Sequence, residues 1–279
     1  MAKQMTHRER WCRCRPICVL GLPERRARPY ALPQSNRTGS QMQRRSFTQI
    51  VGPILIALCI SVPPASAQGE ALPPLADEVA AQFTAIGRLG HAGFRTKQFC
   101  TATLIAPDLI LTAAHCLSDA GLSGRVFVAG WSRGTYVAAR ASKRELRHPA
   151  YALDGPNSPR NDIALVILDS PILDITPIPL GKVKEGALYG TDVALIGYHR
   201  KTQHLLSGDF SCPVTRFRLR LVHVGCPVIS GNSGGPLLRR TEHGDWQVVG
   251  VVSSRLEEGA IAVELPDWLR REVAAHLAR

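Results

Sequence analysis

The chain has 279 residues, 45% hydrophobic and 20% charged, with a formal net charge of +12 at pH 7. That length allows one large domain or two small ones. The positive excess is local: residues 1–67 carry +9 and residues 68–279 only +3. The body is therefore nearly balanced, and composition gives no support to a nucleic-acid-binding surface.

Residues 1–41 hold Cys12, Cys14 and Cys18 among many arginines. No fourth ligand follows at a usual spacing, so no metal site is expected there, and the segment reads as a mis-assigned or disordered extension. From Met42 the pattern changes. Arg44 and Arg45 form a basic n-region, Ile50 to Val62 an apolar core, and Ala65-Ser66-Ala67 a cleavage site. This predicts a signal peptide over 42–67, cut before Gln68. The apolar core has 13 residues, short of the ~20 that span a bilayer, so no stable membrane anchor is expected after cleavage. Arg44-Arg45-Ser46-Phe47 also fits a twin-arginine export signal, and one motif does not choose the route. The predicted destination is secreted or periplasmic.

The exported body keeps Cys100, Cys116, Cys212 and Cys226. An even number in an exported chain reads as two disulfides, and sequential pairing would close two short loops. After an N-terminal segment over 68–82, short apolar runs recur every ten to twenty residues. They are predicted as strands at 83–89, 99–105, 125–130, 163–168, 192–198, 216–223, 246–254 and 261–265, the spacing of a barrel or sandwich. Ala106 to Leu109 is a turn, making 99–112 a hairpin. In 216–223, Arg216, Arg218 and Arg220 alternate with apolar residues, as in a strand with one solvated face. A helix is expected only at the end, where Leu269, Val273 and Leu277 recur at intervals of four after Pro266.

Three motifs carry chemistry. LTAAHC sets His115 directly before Cys116, where a disulfide would hold the backbone beside the imidazole still, as a general base requires. NDIALVIL sets Asp162 at the mouth of an apolar strand, placed to fix a histidine tautomer. SGNSGGP surrounds Ser233 with glycines that permit unusual backbone angles, and the amides of Gly231 and Ser233 can point together as oxyanion donors. Each motif alone has a bland reading as a turn, a structural pair or a strand cap. Their joint occurrence in an exported, strand-rich chain points to nucleophilic catalysis.

LTAAHC, NDIALV and GNSGGP together resemble the signatures of the trypsin-like, chymotrypsin-fold serine endopeptidases, and FCTATLIAPDLILTAAHC is similar to the bacterial branch. The resemblance implies an all-β fold. Two antiparallel six-stranded barrels would span 83–175 and 176–265, with the active site in the cleft between them and a closing helix over 266–279. It implies a monomer that hydrolyses protein or peptide substrates without a cofactor or metal. His115 would be the base, Asp162 the orienting acid, Ser233 the nucleophile, and Gly231 and Ser233 the oxyanion donors. Cys100–Cys116 matches the family's bridge at the histidine loop, and Ser253 a family serine that supports the aspartate. Ser253, Ser254 and Arg255 would pair with substrate by strand addition, and Pro227 falls near the specificity position.

Two departures matter. Asn232 replaces the aspartate that many relatives pair with a freed N-terminus, so signal-peptide removal should suffice for activation, with trimming of the Pro-rich segment 68–78 as an optional step. Pro227 is uncharged and Val252 replaces the histidine of glutamate-selective relatives. A small or apolar residue before the scissile bond is therefore expected. The rival readings are a catalytically silent homologue acting as a binding module and an esterase. The intact constellation disfavours the first, and the absence of a G-x-S-x-G elbow the second.

Overall fold

A computed structural model describes residues 71–91, 98–117, 124–152, 158–184 and 186–279. The predicted signal peptide over 42–67 and the extension predicted before it lie outside the described residues. Strands β1 (Ile86–His91), β2 (Cys100–Ala106), β3 (Leu109–Thr112), β4 (Arg125–Ala129), β5 (Ala138–Arg147) and β6 (Ala164–Leu168) close into one antiparallel barrel in the order β1-β2-β3-β6-β5-β4. Strands β7 (Asp192–Gly197), β8 (Ser207–Arg218), β9 (Leu221–Val224), β10 (Pro236–Arg240), β11 (Trp246–Arg255) and β12 (Ala260–Glu264) close a second, in the order β10-β11-β12-β9-β8-β7. Closure removes the unpaired edges that a sheet would otherwise expose.

Burial explains why the central strands read as continuous apolar runs. Leu104, Leu109, Leu111, Phe127 and Leu165 fill the first barrel. Ala194, Ile196, Leu238, Val248 and Val251 of the second barrel pack into that same core, while Leu195, Val222, Leu237, Val249 and Ala262 form the second barrel's own. Strands buried on both faces lose the alternation of a half-exposed sheet.

The stretch 216–223 is not one strand. Leu219 and Arg220 adopt left-handed φ of 51° and 64°, and β8 turns back into β9 with Arg216 opposite His223 and Arg218 opposite Leu221. Two consecutive left-handed residues make the tight turn that matches strand twist. The arginines are exposed as expected, but Leu219 is 55% exposed rather than buried. The Pro-Asp turn between β2 and β3 is where the sequence places it.

The C-terminal helix α1 (Asp267–Leu277) starts at Pro266. Its Leu269 is fully buried and Val273 packs against the first barrel's core, but Leu277 is 63% exposed. His276 Nε2 lies 2.8 Å from Asp108 Oδ1 in the β2–β3 turn, tying the helix to the first barrel.

The Pro-rich N-terminal segment is built into the second barrel. Leu72 is 1% exposed within that barrel's core. Pro74 bridges Ser207, Leu75 N donates to Leu206 O at 2.9 Å, and Gly208 N donates to Pro73 O at 2.9 Å. The buried ring of His199 completes the seam, with Nε2 2.9 Å from Leu72 O. A carbonyl only accepts, so Nε2 carries the proton. Burial holds the His199 pKa below the usual histidine range, with the Leu72 bond opposing and Lys201 reinforcing the shift.

A depressed folded pKa means that the unfolded chain binds the proton more readily, so this stability is present above the usual histidine pKa and lost as pH falls through the folded value. Between about pH 7.5 and 5, the Tm should fall more for wild type than for His199→Gln, which keeps a donor for Leu72 but cannot titrate. Equal slopes in thermal melts would refute this role.

Candidate active site

The site is built around a buried carboxylate. Asp162 stands just before β6, its side chain 3% exposed. Its Oδ1 accepts from the backbone N of His115 at 2.8 Å, and its Oδ2 lies 2.7 Å from His115 Nδ1. A third donor comes from the other barrel, Ser253 Oγ, 2.5 Å from Oδ2. Local backbone irregularity makes this convergence possible. Asn161 has a left-handed φ of 59°, turning the chain into β6. The β11–β12 register shifts between Val252 and Ser254, and a bulge of this kind re-aims the intervening side chain.

His115 lies in the one-turn 3₁₀ helix Ala114–Leu117. Cys116 is bonded to Cys100 with Cα atoms 6.0 Å apart, so the imidazole's neighbour is fixed to β2. With Nδ1–H donated to Asp162, Nε2 keeps a lone pair, the tautomer a general base needs, and lies 3.7 Å from Cys116 Sγ. The His115 side chain is 35% exposed, open enough to meet a substrate.

Ser233 is carried by a loop pinned to the same strand. Thr101, next to Cys100, donates its N–H to Ser233 O at 2.8 Å, and Thr101 Oγ1 donates to Gly231 O at 2.8 Å. Thr101 Oγ1 also accepts from Tyr198 N at 2.9 Å. The flanking glycines are required by space as well as φ. At Gly231, with φ 108°, a Cβ would stand 2.8 Å from His199 Cα and 2.9 Å from Phe99 Cε2. At Gly234, with φ 80°, it would stand 2.2 Å from both Thr101 O and Thr112 Oγ1. The same point lies 3.1 Å from Ala113 N, two residues before His115, so the serine loop is packed onto the histidine's own segment.

Asn232 is fully buried. Its Oδ1 accepts from Ile229 N at 3.0 Å and its Nδ2 donates to Tyr198 O at 3.3 Å. An amide offers both functions in one group; a carboxylate offers only the first. Arg200 N donates to Ser230 O at 3.0 Å. In a trans peptide the C=O and the following N–H point oppositely, so this bond turns the Gly231 N–H away from Arg200.

The structure thus joins His115, Asp162 and Ser253 directly by hydrogen bonds, and holds Ser233 and Gly231 through Thr101. A cavity of about 230 Å³ at Ser233 is lined by Val228, Ile229, Ser230, Val252, Ser254 and Arg255. Pro227 instead lines a neighbouring cavity of about 680 Å³ that also includes Arg255. The second disulfide, Cys212–Cys226, ties β8 to the segment leading to the serine loop. Two groups approach metal-ligand spacing among the described residues, Cys100/His115/Cys116 and Asp209/Cys212/Cys226. Both rely on cysteines already committed to disulfides, which leaves no thiolate for an ion. The roles of Thr101, Tyr198 and His199 are not visible in LTAAHC, NDIALV or GNSGGP. Thr101 and Tyr198 act through atoms common to many strands, and His199 sits alone in sequence.

Two six-stranded antiparallel barrels with a closing helix form the chymotrypsin fold. The trypsin-like peptidase domain family matches residues 100–251, more than half of the chain, and the chain belongs to that family. It is also similar to the trypsin-like protease of Streptomyces glaucescens, 28% identical over 179 residues, or 55% of this chain and 64% of that protein. The chain therefore spans less than two thirds of that relative's length.

Thr101→Val removes the donor to Gly231 O and the acceptor for Tyr198 N while keeping the shape. It should cost about 1–3 kcal/mol, read as a lower midpoint in urea unfolding. Asn232→Asp should destabilise at neutral pH, where a buried charge faces Tyr198 O. It should recover in acid, because the neutral carboxyl can again both accept and donate. The raised folded pKa puts the gain below it and the loss above it. A deficit independent of pH would contradict the assigned bonds.

Proposed function

We propose that this protein is an exported serine endopeptidase working through an acyl-enzyme. The observation that carries the reading is the doubly anchored His115, held by Asp162 through both Nδ1 and its own backbone N, on a segment packed against the glycine-flanked Ser233 loop. Ser233 Oγ attacks the scissile carbonyl while His115 Nε2 takes its proton. The imidazolium is stabilised by Asp162, and the same proton then goes to the leaving amine. Water attacks the acyl-enzyme by the reverse route. The N–H groups of Gly231 and Ser233 stabilise the oxyanion, at about 3 kcal/mol per donor. No cofactor is needed for these steps, and every group named comes from one chain, which suits a monomer.

Substrate is bound along Ser253 to Arg255 by strand addition, with the residue before the scissile bond entering the cavity at Ser233. Val228, Ile229 and Val252 give that cavity apolar wall, which suits a small or apolar side chain. Pro227 adds apolar surface beyond it. The two disulfides suit an oxidising compartment, in keeping with secretion or periplasmic export. No helix among the described residues is long and apolar enough to cross a membrane.

Because Asn232 is satisfied by neutral partners, folding itself sets the loop, and no further internal cut is needed. The purified exported chain should react with a fluorophosphonate probe and cleave an unfolded protein such as casein. Ser233→Ala should abolish labelling. His115→Ala should reduce turnover by a factor on the order of 10⁴ or more. A folded chain that takes up no probe would make it a binding module instead.

A further inference from the structure

Resting on the peptidase reading, we propose that the leaving-group side of the cleft selects an acidic side chain, recognised by Arg200. The leaving amine takes its proton from His115, so the residues after the scissile bond run over His115 and its disulfide. A cavity of about 260 Å³ lies there, lined among others by Phe99, Cys100, His115, Cys116, His91 and Arg200. It shares no lining residue with the cavity at Ser233, so the two sides of the scissile bond are recognised by separate walls.

Among the described residues, the exposed charge of that cavity reduces to one group. Among the described residues its lining contains no carboxylate and two arginines, Arg125 and Arg200. The Arg125 side chain is 2% exposed and ion-paired with Glu145. Arg125 Nη2 also lies 3.4 Å from His91 Nε2. A guanidinium only donates, so His91 Nε2 accepts there. Among the described lining residues, the exposed cation facing the leaving fragment is therefore Arg200. Its backbone is fixed to Ser230 O at 3.0 Å, so the side chain springs from a segment bonded to the serine loop. A planar guanidinium fork suits a carboxylate and repels Lys or Arg.

The test uses the purified exported chain and fluorogenic peptides sharing one acyl half. Glu, Gln or Lys is placed at each of the first two leaving-side positions. At low salt, kcat/KM should be about three- to fivefold higher for Glu than for Gln at one position, the size of an exposed ion pair, and lower still for Lys. The preference should shrink as salt is raised. Arg200→Gln should bring the Glu:Gln ratio near one, and Arg200→Glu should invert the order of Glu and Lys peptides, an outcome that loss of folding cannot mimic. Hydrolysis of a simple ester with no leaving-side residues is measured in parallel on the wild-type chain. Ester turnover with no acidic preference overturns this inference and leaves the peptidase reading standing. Absence of both ester and peptide turnover in a folded chain overturns the peptidase reading and this inference with it.

Discussion

The site depends on one buried carboxylate. Asp162 is nearly inaccessible to water, and an ionised group in that position is tolerable only if its lone pairs are used. Three donors use them: the His115 backbone, the His115 ring and the Ser253 hydroxyl. Hydrogen bonds to a charged group are worth about 1.5–3 kcal/mol each, enough to make their shared geometry the preferred one. The donors come from both barrels, so the interaction that orients the imidazole also joins the two halves of the molecule. The left-handed Asn161 and the bulge at Ser253 are local irregularities that bring the groups within reach.

The serine loop is solved without charge. Thr101, Asn232 and Arg200 hold it through neutral hydrogen bonds, each group giving or taking where a loop carbonyl or amide would otherwise be unsatisfied. A carboxylate at position 232 would need a cation brought to it, and the loop would be complete only once that cation arrived. The amide makes loop geometry a property of the folded chain. The buried Leu72 and its bond to His199 fit the same logic, because the N-terminal segment is part of the framework behind Gly231 rather than a plug to be removed.

What the sequence made legible follows from what produces a local pattern. Buried strands such as 99–105 and 163–168 stand out because nearly every residue is apolar. The motif residues stand out because His, Asp and a glycine-flanked Ser are unusual beside such strands. β5 was missed because AARASKRELR is largely solvated and its charges hide any alternation. The first half of β8 was missed because Asp209, Ser211 and Pro213 interrupt it. The turn at Leu219 and Arg220 was read as strand because neither residue is a usual left-handed former, and tertiary closure overrode propensity. Thr101 was beyond reach for a different reason: its importance lies in partners more than ninety positions away.

The proposed catalysis by groups divided between two barrels requires that the barrels keep their relative placement, and the chain termini contribute to this by crossing over. The N-terminal segment precedes the first barrel, yet it packs into the second through Leu72 and the Pro74–Ser207 bridge. The C-terminal helix follows the second barrel, yet it packs on the first through Leu269 and the His276–Asp108 pair. Sliding one barrel along the other would have to expose Leu72 or Leu269 and break the Asp162–Ser253 bond with them. Burial of a Leu side chain is worth roughly 1.5–3 kcal/mol, so such a shift is opposed at several separated points at once. The Asp162–Ser253 contact between the barrels is thus maintained by apolar anchors far from it in sequence.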